Sequence, residues 1–219
     1  MTRENALNKL RITEIFFSLQ GESTTVGLPT VFVRLTGCPL RCQYCDTAYA
    51  FQGGEWMELD DIIQQVAEFQ TRHVTVTGGE PLAQKPCLEL LRRLCELDYQ
   101  VSLETSGAVD IAGVDERVIK VMDIKTPASG ESEKNRLENI EYLLPHDQVK
   151  FVICDRQDYE WAKDVLQDYA LTDKCEVLFS PSTGQLKPTQ LADWIIEDRL
   201  AVRFQLQLHK ILWGDEPGR

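Results

Sequence analysis

Short apolar runs and longer amphipathic stretches alternate along the chain. Residues 10–17 and 30–35 are rich in β-branched and aromatic side chains, which is typical of strands. Further strands are predicted at residues 73–77, 100–104, 118–124, 149–154, 176–179 and 201–207. Helices are predicted at residues 59–69, 88–97, 132–144, 159–169 and 191–199, the first from a period of three to four in its apolar positions. This alternation predicts an α/β fold with a mostly parallel sheet or an open βα barrel.

The polar segments that follow these strands carry most of the unusual sequence. They are residues 37–55, 78–81 (Gly-Gly-Glu-Pro), 104–107 (Glu-Thr-Ser-Gly), 125–127 (Lys-Thr-Pro) and 180–182 (Ser-Pro-Ser). In parallel α/β folds the carboxyl ends of the strands share one face, and ligands bind there. We therefore expect these segments to meet at one site. Because the chain shows no repeat, low-complexity tract or linker, a single domain over residues 1–219 is expected.

The net charge of the chain limits the classes of partner that it can bind. The chain has 35 acidic and 23 basic side chains, a formal net charge of -12, which argues against nucleic-acid binding. It also lacks an apolar run of the ~18–20 residues that a transmembrane helix needs, and its first residues have no apolar signal-peptide core. The expectation is a soluble cytoplasmic protein.

Seven cysteines provide the strongest chemical signal. An odd number without an export signal favours metal binding or free thiols over disulfides. Cys38, Cys42 and Cys45 form a C-x3-C-x2-C pattern, whose three thiolates can hold three irons of a four-iron cluster and leave the fourth open. The alternative is zinc, which normally needs a fourth Cys or His at short spacing, and none follows. The remaining cysteines, Cys87, Cys95, Cys154 and Cys175, are expected to be small buried apolar residues.

The cysteine pattern after one strand and Gly-Gly-Glu-Pro after a later strand together resemble the radical S-adenosylmethionine (SAM) superfamily. The resemblance implies a partial, open βα barrel in which Cys38, Cys42 and Cys45 ligate a [4Fe-4S] cluster. It also implies that SAM binds the open iron and is cleaved reductively to a 5′-deoxyadenosyl radical, which removes a hydrogen atom from the substrate.

Three further features resemble one family in that superfamily, the 7-carboxy-7-deazaguanine synthases. They are the segment Leu19-Gln20-Gly21-Glu22, Arg34 on the second strand, and Cys45-Asp46-Thr47. The implied reaction contracts the ring of 6-carboxy-5,6,7,8-tetrahydropterin, releases ammonia and serves 7-deazapurine and queuosine biosynthesis. A planar guanidinium at Arg34 suits a substrate carboxylate, and the Thr47 hydroxyl suits Mg²⁺ that takes its other ligands from substrate and water.

The resemblance also implies roles for individual residues. Substrate-binding residues would be Leu19, Gln20, Gly21, Arg34 and Thr77, and SAM-binding residues would be Tyr44, Cys45, Asp46, Gly79, Ser106, Asp123, Ile124 and Lys125. A further SAM loop is expected at residues 180–182. The chain departs from some relatives by having Asp-Ile-Lys at residues 123–125 in place of Ser-Pro-Lys, and Ser23 where glycine is frequent.

The resemblance also implies partners. A flavodoxin or ferredoxin would donate electrons, with Arg41 a candidate for a basic contact near the cluster, and the enzyme would be a homodimer. The same residues also allow two alternatives: an activating enzyme for a glycyl-radical enzyme, and a non-catalytic module held together by zinc or by a cluster.

Overall fold

The computed structural model describes residues 8–214 and 216–219, and its central element is a nine-stranded sheet. The strands are β1 (Lys9–Leu19), β2 (Pro29–Leu35), β3 (Glu55–Glu58), β4 (His73–Gly78), β5 (Gln100–Thr105), β6 (Ile119–Asp123), β7 (Gln148–Ile153), β8 (Glu176–Pro181) and β9 (Arg203–Phe204). Their order is β3-β1-β2-β4-β5-β6-β7-β8-β9. Strand β1 is antiparallel to β2 and β3, and every other pair is parallel. The predicted open, mostly parallel α/β sheet is confirmed.

In the described part of the chain, six α-helices accompany the sheet: α1 (Leu59–Glu68), α2 (Cys87–Glu96), α3 (Arg156–Asp168), α4 (Leu171–Lys174), α5 (Pro188–Glu197) and α6 (Leu208–Trp213). Helix α1 shows how the sequence determines the packing, since Leu59, Ile62 and Val66 lie on one face and are fully buried. The corresponding faces of α2, α3 and α5 join the same core. None of the helices in the described ranges has both the length and the apolar character to cross a membrane.

Two predicted elements differ from the structure because side chains compete for the backbone. Residues 132–144 form 3-10 turns at Ser132–Lys134 and Leu137–Tyr142 instead of an α-helix. There, Asn135 hydrogen-bonds both backbone groups of Lys125, and Asn139 bonds the carbonyls of Gly107 and Val109. These amides fasten the segment to the loops after β5 and β6.

The last predicted strand, residues 201–207, is reduced to Arg203–Phe204. The Gln205 side chain bonds both backbone groups of Ser23, which diverts the chain from the sheet towards the loop after β1. Residues 55–58 form the edge strand β3, which was not predicted, since the predicted loop ended at Glu55 and the predicted helix began at Leu59. The segment after residue 207 forms helix α6, which no pattern in the sequence had indicated.

Candidate active site

A cavity of about 650 Å³ opens at the carboxyl ends of the central strands. It is lined by all the predicted site residues except Ile124: Leu19, Gln20, Gly21, Arg34, Cys38, Cys42, Tyr44, Cys45, Asp46, Thr47, Thr77, Gly79, Ser106, Asp123 and Lys125. The Ile124 side chain instead lies in the hydrophobic core. Of residues 180–182, Ser182 lines the cavity, whereas Ser180 and Pro181 belong to the buried end of β8.

Residues 38–45, here called the cluster loop, form one wall of the cavity. Their three cysteines are half-buried free thiols. Burial raises the pKa of all three thiols, that of Cys42 to about 11, so ligation has to displace protons. Within residues 8–214 and 216–219, no three His, Cys, Asp or Glu side chains converge on a single metal position. A donor set of three separate thiols suits a group with several irons, each bound by one cysteine.

The cluster loop packs directly on the Gly-Gly-Glu-Pro segment. A Cβ atom at Gly79 would lie 2.3 Å from the Gly37 carbonyl oxygen and 2.6 Å from the Cys38 Cβ, so only glycine fits. On the outer side, the exposed Arg41 guanidinium donates to the carbonyl oxygens of Cys38 (2.8 Å) and Leu40 (2.6 Å). The loop therefore holds its shape through protein contacts on both sides.

Glu80 connects the ends of β4 and β5. Its fully buried carboxylate accepts hydrogen bonds from the backbone N–H groups of Leu82 (3.0 Å) and Ser106 (2.7 Å). It also accepts from the hydroxyls of Thr105 (2.9 Å) and Ser106 (2.5 Å). The Ser106 hydroxyl is thus oriented by Glu80, and its lone pairs are what it can offer to a ligand.

Unsatisfied polar atoms lie beside the cluster loop. The Tyr44 hydroxyl and the Asp123 Oδ1 atom are buried without a hydrogen-bond partner among the described residues. Lys125 pairs with the other oxygen of Asp123 at 3.0 Å. Burial opposes the charge of Lys125, but Asp123 and Cys42 outweigh it and raise the pKa of the ammonium. Burial raises the pKa of the Tyr44 phenol. Buried polar atoms left unpaired are places where a polar ligand completes the structure.

The opposite side of the cavity carries four charged residues and one threonine, from the loop after β1 and from strands β2, β4, β5 and β7, here called the substrate wall: Glu22, Arg34, Thr77, Glu104 and Lys150. The Thr77 hydroxyl donates to Glu104 at 2.8 Å, and Lys150 pairs with Glu22. Burial and the neighbouring Glu22 raise the pKa of Glu104. Burial opposes the charge of Lys150, but Glu22 and Asp123 prevail and raise its pKa, so Lys150 remains protonated at neutral pH.

Arg34 of the substrate wall is anchored by Glu14, which does not line the cavity. The Arg34 Nε donates to Glu14 Oε1 at 2.6 Å, and the Tyr49 hydroxyl donates to the same oxygen at 2.7 Å. Burial and this bond to Glu14 raise the pKa of the Tyr49 phenol to about 12, which keeps it a donor.

The segment Leu19–Glu22 is held by its own side chains. The Gln20 amide donates to the Thr75 hydroxyl at 3.1 Å and accepts from the Glu22 backbone N–H, so it braces the loop. A Cβ atom at Gly21 would lie 2.2 Å from His209 Nδ1 on helix α6. That close approach places α6 across the mouth of the cavity.

Among the ionisable residues that line the cavity, Glu22, Glu104, Lys150 and His209 have no role assigned from sequence, and neither has the buried Glu80 that orients Ser106. The three glutamates lie inside the motifs quoted above, and their placement at or just after the ends of strands is a usable signal. Lys150 could also have been found from sequence, because it is the one charged residue in the otherwise mostly apolar strand β7. No sequence pattern indicates His209, because its position depends on the packing of α6 against Gly21.

The fold and the cavity are those of a radical SAM enzyme, and residues 32–128 match the family model of the Radical SAM superfamily. Enzymes of this class use a [4Fe-4S] cluster and SAM. A solved structure of QueE from Escherichia coli has the same fold, with a TM-score of 0.76 and 22% identity over 92% of this chain and 95% of that one.

Two curated relatives are both called 7-carboxy-7-deazaguanine synthase. The protein of Koribacter versatilis is 43% identical over 94% of this chain and 98% of its own length, and that of Chlorobaculum tepidum is 44% identical over 94% and 96%. The chain belongs to the 7-carboxy-7-deazaguanine synthase family.

Proposed function

We propose that this chain contracts the ring of 6-carboxy-5,6,7,8-tetrahydropterin to give 7-carboxy-7-deazaguanine and ammonia. The observation that carries the proposal is that one cavity joins three thiols on one side to an anchored arginine and buried carboxylates on the other. The family relationship supports the same reaction. The whole reaction takes place within a single domain.

The substrate wall suits a carboxylated pterin. Arg34 would bind the carboxylate through a planar guanidinium. Glu22 and Glu104 would accept hydrogen bonds from the amino and ring N–H groups, since carboxyl oxygens are hydrogen-bond acceptors. Leu19, Gln20, Gly21 and Thr77 would complete this pocket, with Gln20 acting through the loop that it braces. Such fixed partners orient the ring for reaction.

The residues beside the cluster loop suit SAM. Cys38, Cys42 and Cys45 would hold the cluster, which together with SAM supplies the radical that abstracts hydrogen. The backbone at Gly79, the Ser106 hydroxyl, Asp123, Lys125, Tyr44 and Asp46 would bind the SAM amino acid and nucleoside, with Ile124 contributing from its backbone and Ser182 from the loop after β8. The unpartnered oxygens of Tyr44 and Asp123 are the atoms that gain most from such a ligand.

Thr47 is proposed to bind Mg²⁺. Its hydroxyl hydrogen-bonds Asp46 Oδ1 at 2.8 Å, and Lys210 Nζ lies 3.5 Å from the other Asp46 oxygen. A single protein hydroxyl is compatible with Mg²⁺, which keeps waters and shares oxygens with the substrate. Substitution Thr47→Ala should therefore raise the Mg²⁺ concentration that gives half-maximal activity.

Electrons would come from a flavodoxin or ferredoxin in the cytoplasm, and the enzyme would act as a homodimer. Arg41 is an exposed residue of the cluster loop, where it offers positive charge to an acidic donor. Its two bonds to loop carbonyls also stabilise the loop. An Arg41→Ala variant should consequently be slower with the protein reductant than with dithionite.

The substrate is tested by separating SAM cleavage from product formation. Arg34→Ala should reduce 7-carboxy-7-deazaguanine formation at least about 100-fold, because a charge-assisted pair is lost at the substrate carboxylate. 5′-Deoxyadenosine should still form with dithionite. Equal product from Arg34→Ala and the unchanged enzyme would exclude the proposed pterin site and favour a macromolecular substrate, such as a glycyl-radical enzyme.

A further inference from the structure

Strand β1 contains a bulge at the height of Arg34. Ile12 pairs with Leu35, but the next pair is Glu14 with Arg34, so Thr13 is an extra residue. In an unbroken register Thr13 would stand opposite Arg34. Because directly opposite residues of an antiparallel pair share a face, the bulge brings a carboxylate beside the arginine.

The bulge is fixed by side chains of other elements. The Thr13 and Thr36 hydroxyls are 2.7 Å apart, and Gln84 bonds both backbone groups of Arg11 at 2.8 and 3.0 Å. The same Gln84 amide donates to the Thr36 carbonyl at 3.0 Å. These bonds satisfy backbone groups around the irregularity, so the displaced register is a stable part of the fold.

The displaced register determines which atoms of Arg34 a ligand can use. A guanidinium presents two two-pronged edges to carboxylates, one formed by Nε and a terminal nitrogen and one by both terminal nitrogens. Glu14 occupies Nε, and Tyr49 holds Glu14 in place. The Arg34 guanidinium also lies 5.6 Å from the centre of the Phe16 ring and 5.9 Å from that of Tyr49. Arg34 lines the cavity, whereas Glu14 stands behind it.

We propose that Glu14 is a positioning residue that orients Arg34, so that the substrate's carboxylate is bound through the two terminal nitrogens of the guanidinium. This inference rests on the proposed function, in which Arg34 binds that carboxylate. Glu14 thereby acts on specificity for the carboxylated ring without touching it.

The test measures dissociation constants of 7-carboxy-7-deazaguanine and of 7-deazaguanine, which lacks the carboxylate. Glu14→Ala should weaken binding of the carboxylated compound about tenfold, the worth of one charge-assisted hydrogen bond, and leave 7-deazaguanine unaffected. Glu14→Gln retains an oxygen acceptor for Arg34 Nε and should stay within about threefold of the unchanged protein. In an Arg34→Ala background, Glu14→Ala should cause no further loss.

The outcomes separate the two proposals. An unaltered affinity of Glu14→Ala for the carboxylated compound, or an equal loss for both compounds, would overturn the positioning role. If Arg34→Ala itself binds both compounds normally, the proposed substrate site is wrong instead. Should Glu14→Ala fail to fold, Tyr49→Phe supplies the same test. It releases the second anchor of Glu14 and should weaken only the carboxylated compound, by about threefold.

Discussion

The two walls of the cavity are ordered in different ways. The substrate wall is already assembled by hydrogen bonds and ion pairs between strands: Glu14 with Arg34, Thr77 with Glu104, and Lys150 with Glu22. The cluster loop contains three half-buried thiols. Burial raises the pKa of each thiol above its ordinary value, so the thiols are protonated. The interactions of the substrate wall are therefore made within the protein, whereas the thiols of the cluster loop gain their partners only when metal binds.

The difference indicates where each wall obtains its precision. Preorganised charges bind a ligand without reorganising, but they bury charge at a cost to stability. Thiols that await a metal gain their order from binding it, and the binding free energy then contributes to stability. Substitutions in the cluster loop should therefore change metal content, whereas substitutions in the substrate wall should change ligand binding or stability.

The largest effect is expected at the cluster loop. Cys42→Ala should abolish the intact cluster and reduce product below detection, because no other thiol replaces this ligand. Iron content and visible absorbance after anaerobic reconstitution measure the amount of cluster, and mass spectrometry measures the product. The matched control is Cys95→Ala on helix α2, a buried cysteine remote from the cavity, which should keep its iron and lose only about 1 kcal/mol of stability. A full cluster in Cys42→Ala would contradict this assignment.

A smaller but global effect is expected where the walls meet. Glu80→Ala leaves the N–H groups of Leu82 and Ser106 and two hydroxyls without their buried acceptor. Unfolding free energy should fall by about 3 kcal/mol, and SAM should bind more weakly because the Ser106 loop is released. Chemical denaturation and equilibrium dialysis measure the two quantities. Glu80→Gln, which retains one oxygen acceptor, should lie between Glu80→Ala and the unchanged protein. Normal stability of Glu80→Ala would show that the loops are held by other contacts.

The smallest effect is a pH dependence within the substrate wall. Burial raises the pKa of Glu104 in the folded protein, so the folded state binds its proton more tightly than the unfolded state. The stability from this group is complete below the ordinary carboxyl pKa of about 4 and is lost as pH rises through the raised pKa. Glu104→Gln should flatten that part of the curve of unfolding free energy against pH. An identical curve for both proteins would show that Glu104 ionises normally.

Local patterns were sufficient for eight of the nine strands of the sheet, all except β3, and for the loops that line the cavity. Apolar runs at residues 30–35 and 73–77 predicted strands, and glycine-rich or cysteine-rich segments after them predicted loops at one face. Contacts between distant residues were not predictable in the same way. Asn135 and Asn139 convert an apparent helix to 3-10 turns through bonds to loops up to 32 residues away. The Thr13 bulge and the packing of His209 on Gly21 likewise depend on partners that no single segment contains.

The central claim is that both walls serve one reaction in one cavity. Its most direct test is the reconstituted protein incubated anaerobically with SAM, dithionite, Mg²⁺ and 6-carboxytetrahydropterin, with product and ammonia quantified together. The account predicts 7-carboxy-7-deazaguanine and ammonia in equal amounts. Steady formation of 5′-deoxyadenosine without either product would contradict the claim, because the cluster loop would then be functional and the substrate wall would serve a different molecule.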